Sequence, residues 1–141
     1  MKKVLLTLVI ISLLSCKTVI DLKVREGGIF PVCLFIDDIP SKKLKPFEEE
    51  VIFWNRKMKE KVFKISPFCN DSDDLVPVAF VNTLPRRCGY YGCIMITRHN
   101  RKIIFRQVFI QNKAKRETIR HELGHLLGCR HEDVAPPCDF L

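Results

Sequence analysis

Three of the chain's four histidines fall in one short stretch, His121-Glu122-Leu123-Gly124-His125-Leu126-Leu127-Gly128-Cys129-Arg130-His131. On a helix, His121 and His125 are four residues apart, so their imidazoles project from one face a turn apart and close on one metal ion. Gly128 allows the left-handed backbone that ends a helix, which turns the chain back so that His131 offers a third nitrogen. Three neutral ligands leave a zinc ion with an open fourth position, the mark of a catalytic rather than a structural site, and water there becomes acidic near neutral pH. Glu122 points about 100° around the axis from His121, where its carboxylate reaches the water instead of the metal. These residue types at this spacing therefore supply Lewis acid, nucleophile and general base for hydrolysis of a carbonyl compound. A helix with two histidines is often mere surface decoration; the glycine and third histidine narrow the reading.

The stretch resembles the metzincin signature HExxHxxGxxH, matched at His121, Glu122, His125, Gly128 and His131. The resemblance implies zinc-dependent peptide hydrolysis, with Zn2+ held by His121, His125 and His131 and Glu122 as the catalytic base. It also implies an α/β (α+β) fold: a mixed twisted sheet with a long N-terminal helix, a zinc-binding helix and, in this chain, a minimal C-terminal part. Metzincins place a methionine turn beneath the ligands, but no methionine follows His131, and Phe140 and Leu141 are the candidates for that floor. The chain thus reads as a small truncated member of unassigned branch.

The elements that must position these residues follow from pattern. Asn112 is expected as an N-cap, with a helix over Lys113 to Leu127 that turns Ile119, Leu123, Leu126 and Leu127 to the core. Tyr90 to Arg98 and Lys102 to Gln111 are β-rich runs joined at His99-Asn100-Arg101, a hairpin whose tip histidine is expected to be solvated and outside the metal site. By the same resemblance, Tyr91 to Arg98 is an exposed sheet edge against which a peptide substrate lies antiparallel. Leu75 to Leu84 reads as a buried strand with Pro77 near its start. Phe47 to Phe63 has apolar residues at helical spacing, with Pro46 in the first turn, Glu48 to Glu50 near the start, and Trp54 and Met58 toward the core. Ile29 to Ile36 reads as a first strand, stopped by Asp37-Asp38-Ile39-Pro40. Cys69 to Asp74 is a loop whose acidic residues lack EF-hand spacing.

The chain opens Met1-Lys2-Lys3 and continues with an apolar run from Val4 to Leu14, too short to span a bilayer and typical of a secretory signal. The run ends Leu13-Leu14-Ser15-Cys16, which resembles the bacterial lipoprotein box and implies lipidation of Cys16. Residues 1–15 are therefore expected to be a signal peptide, 16–28 a tether and 29–141 one peptidase domain. Seven cysteines would leave one unpaired in an exported protein, and setting Cys16 aside leaves six for disulfides in an oxidising compartment. Closeness suggests Cys88 with Cys93 and Cys129 with Cys138, the latter fixing the turn that carries His131. No CxxC pair points to a cysteine zinc site.

The formal charge of +8, part of it from Lys2 and Lys3, forms no single basic run and no aromatic-interleaved motif, so nucleic acid is not an expected partner. The expected partners are a peptide or protein substrate and a membrane reached through the lipid anchor, in a bacterial envelope. Two other readings remain open: a zinc-bearing, non-catalytic binding module, and a disulfide-stabilised surface lipoprotein whose HExxH is accidental.

Overall fold

The computed structural model describes residues 31–71, 73–89, 91–133 and 137–139. The expected signal peptide, lipidated Cys16, tether and floor candidates Phe140 and Leu141 lie outside the described residues. In chain order the elements are β1 (Val32–Ile36), α1 (Ser41–Lys57), β2 (Phe63–Ile65), β3 (Asp74–Val81), β4 (Gly92–His99), β5 (Lys102–Gln111) and α2 (Arg116–Leu126). The strands form one five-stranded mixed sheet in the order β2-β1-β3-β5-β4. Among the described strands only β4 runs antiparallel, paired along β5 from Gly92↔Ile110 to His99↔Lys102. The class is mixed α/β, and among the described residues no helix is long and apolar enough to cross a membrane.

Alternation along the strands puts one side-chain set under the helices. Val32 and Leu34, Val76 and Val78, and Val108 and Ile110 are buried with Phe47, Val51 and Trp54 of α1 and Ile119, Leu123 and Leu126 of α2. Each such side chain, fully withdrawn from water, contributes roughly 1.5–3 kcal/mol.

Helix α1 begins and ends earlier than its apolar spacing suggests. Pro40 sits just outside it with φ −54° and ψ 130°, and its carbonyl accepts the Lys43 N–H at 2.7 Å, so the helix starts at Ser41. Pro46 lies in the second turn rather than the first. At the other end Lys59 takes a left-handed φ of 56°, and Asn55 pulls the chain out of the helix. Its Oδ1 accepts the N–H groups of Val62 and Phe63, both at 2.9 Å, and its Nδ2 donates to the Phe63 carbonyl at 3.1 Å. The segment read as the helix end thus becomes a turn and then β2, a short strand that its central Lys64 hides from pattern reading.

The β4–β5 hairpin turns on Asn100 and Arg101, both left-handed with φ of 48° and 65°, as a two-residue type I′ turn requires. Asn112 is not an N-cap. Its N–H bonds the Val81 carbonyl at 2.8 Å and its Nδ2 donates to Asn82 Oδ1 at 2.7 Å, while Lys115 stands before α2 with no side-chain cap. Pro77 sits opposite Phe35 in the pairing with β1 and just before the stretch Val78–Val81 that pairs with β5.

Candidate metal centre

Helix α2 is pinned along its length before its histidines can act. Glu50 of α1 is fully buried and accepts from Arg120 Nε at 2.7 Å and Nη2 at 3.1 Å, and also from Arg116 Nε. The Arg120 guanidinium lies 4.1 Å from the centre of the Phe53 ring, and Trp54 Nε1 donates to the Arg120 carbonyl at 3.0 Å. From the sheet side, buried Arg106 donates to the Leu126 carbonyl at 3.2 Å and pairs with Asp74. Helix position is therefore set by buried ionic groups as well as by apolar packing.

The helix ends in a Schellman motif. Gly128 has φ 93°, its N–H bonds the His125 carbonyl at 3.0 Å, and the Cys129 N–H bonds the Gly124 carbonyl at 3.0 Å. The next turn is closed by Asp133, whose carboxylate accepts the Arg130 N–H at 2.7 Å while its own N–H bonds the Arg130 carbonyl at 3.0 Å. That turn carries His131. A disulfide from Cys129 to Cys138, with Cα atoms 5.5 Å apart, ties it to the tail. Two further disulfides join Cys33 to Cys69 and Cys88 to Cys93, a set compatible with an oxidising environment.

The three Nε2 atoms converge: His121 to His125 2.9 Å, His121 to His131 3.0 Å, and His125 to His131 3.1 Å. His125 Nδ1 lies 2.8 Å from the Cys129 carbonyl and donates to it, which turns the Nε2 lone pair toward the other two rings. A neutral imidazole nitrogen either donates or accepts, so no choice of tautomers lets all three pairs hydrogen-bond. A cation satisfies three converging lone pairs together, and the histidines lie close enough to hold one metal ion. Burial, and then the neighbouring His125 and His131, lower the His121 pKa from its usual 6.5 and favour the neutral, ligating form. His99 sits at the exposed hairpin tip and is no part of this group.

Glu122 is only 6% exposed, and burial pushes its carboxyl up to about 7. It lines a cleft of about 750 Å³ together with the three histidines and Gly92, Ile94 and Ile96 of β4. Sequence reasoning missed Gly92, Glu50 and Asp133 as supports of this site. Only Gly92 had a usable signal, since an isolated glycine inside a strand pattern marks close approach of another group.

No family model, curated protein or solved structure matches this chain. The reading of the site therefore rests on its own residues and geometry.

Proposed function

We propose that the chain is a zinc-dependent metallopeptidase, exported and held at a bacterial envelope through lipid on Cys16. The observation that carries this reading is the convergence of three Nε2 atoms within 3.1 Å of one another, beside the buried carboxyl of Glu122. The resemblance to the metzincin signature supports it. Bound zinc supplies Lewis acidity, polarising the scissile carbonyl and making water a nucleophile near neutral pH.

The chain's own residues do the rest. His121, His125 and His131 present their Nε2 atoms, and the Cys129 carbonyl fixes the His125 ring. Glu122 takes the proton from the attacking water as the new C–O bond forms, then returns it to the departing amine as the C–N bond breaks. Strand β4, which pairs with β5 alone among the described strands, offers free backbone N–H and C=O groups to an extended peptide.

The Glu122→Gln variant tests this. It should keep stoichiometric zinc and lose peptide hydrolysis by at least about a hundredfold, the scale of general acid–base catalysis. Unchanged hydrolysis would remove the mechanism.

A second reading, a zinc-bearing binding module without catalysis, rests on the same three histidines and on a cleft whose described lining comes from β4, the turn before it, α2 and His131. Stoichiometric zinc with no cleavage across a broad peptide library would select it.

A further inference from the structure

The cleft does not stop at the histidines. Beside it, about one turn of α2 before His121, lies a second chamber of about 530 Å³, lined by Tyr91, Lys113, Lys115, Glu117 and Thr118. Tyr91, Glu117 and Thr118 line both spaces, so the two adjoin. The chamber's lining carries two lysines against one glutamate. Lys113 Nζ stands 5.7 Å from the centre of the Tyr91 ring, which holds that charge at the junction with the main cleft.

Neither lysine forms an ion pair among the described residues, whereas Arg116 and Arg120 on the neighbouring helix face are taken up by Glu49 and Glu50. The surroundings have the same sign. Between Asp74 and Glu117 the sequence has no acidic residue, and β4, whose edge forms the cleft rim, lies wholly within that interval.

We propose that this chamber is a subsite for a substrate carboxylate, held by Lys113 and Lys115. The carboxylate is either an acidic side chain of the bound peptide or its free C-terminus; a lysine acts as a point charge with a flexible stem and suits both. The proposal rests on the peptidase reading, because it takes the cleft as a peptide site.

The test uses the zinc-loaded chain in its Glu122→Gln form, so that bound peptide is not consumed, and three peptides of one neutral sequence. The first carries a glutamate scanned through each position with an amidated end, the second a free C-terminus and no acidic side chain, and the third glutamine with an amidated end. Fluorescence anisotropy should find one of the first two binding about tenfold more tightly than the third, the scale of a charge-assisted contact. The Lys113→Ala/Lys115→Ala double variant should lose that difference while binding the neutral peptide unchanged, and the double arginine variant should restore it.

Which peptide gains identifies the source of the carboxylate. Equal binding of all three, a preference that survives the double alanine change, or no peptide binding at all would each overturn the subsite. Catalysis is read separately by incubating the same peptides with the Glu122-intact chain. Lysine-dependent binding without cleavage there keeps the subsite and discards the peptidase reading.

Discussion

Glu122 lies directly against the backbone of Gly92: a Cβ placed on that glycine would stand 2.8 Å from Glu122 Cγ and 2.9 Å from its Oε1. The first residue of the edge strand and the carboxyl on the helix that carries His121 and His125 are thus fitted to each other, and only a residue without a side chain permits it.

Gly92→Ala should therefore displace the carboxyl without touching a histidine. We expect kcat/KM for peptide hydrolysis to fall at least about tenfold, since small misplacements of a catalytic group are costly, with zinc content unchanged. Steady-state kinetics alongside metal analysis check this, and wild-type kinetics in the variant would contradict the fit.

If zinc is the ion the three histidines hold, its removal should destabilise the chain, because three Nε2 atoms about 3 Å apart would lose the cation that reconciles them. A ligand at about a thousand times its Kd stabilises by about 4 kcal/mol. Thermal unfolding with and without a chelator should differ accordingly, and His131→Ala should shrink the difference. A Tm indifferent to zinc would argue against the site.

Replacing Cys129 and Cys138 by serine opens a loop with a sequence separation of 9. The loop-entropy relation puts the loss near about 2–3 kcal/mol. The turn carrying His131 is also released, so zinc affinity should fall together with stability, measured by competition with a chromophoric chelator.

Arg120→Leu leaves the fully buried Glu50 with Arg116 as its remaining partner. Breaking a buried pair costs about 3–5 kcal/mol, and the remaining arginine should hold the loss at or below the lower end of that range. Urea denaturation should show the midpoint falling with no change in slope.

Asp73 accepts the Asn70 N–H at 2.7 Å and the Lys64 ammonium at 2.8 Å, and these bonds hold its pKa below the usual 3.8. A carboxyl depressed in the folded state adds stability that is present above its unfolded pKa and lost as pH falls through the folded value. Acid unfolding below pH 3.8 should therefore be shallower in Asp73→Asn than in the wild type, as followed by circular dichroism.

The sequence by itself determined the three histidines that lie close enough to hold a metal ion, the mixed α/β class, the β4–β5 hairpin and the turn at Gly128. All are local properties: helical spacing of His121 and His125, strand alternation, and a left-handed glycine are written within a few residues of each other. Tertiary structure decided whatever depends on partners distant in sequence. Asn55 ended α1 by bonding the backbone of Val62 and Phe63, and Asn112 was drawn to Asn82 instead of capping α2. Glu50, which composition would place on a surface, is buried because Arg116 and Arg120 arrive from a helix far along the chain. The approach of Gly92 to Glu122 belongs to the same group, since it exists only once α2 has packed beside the edge strand.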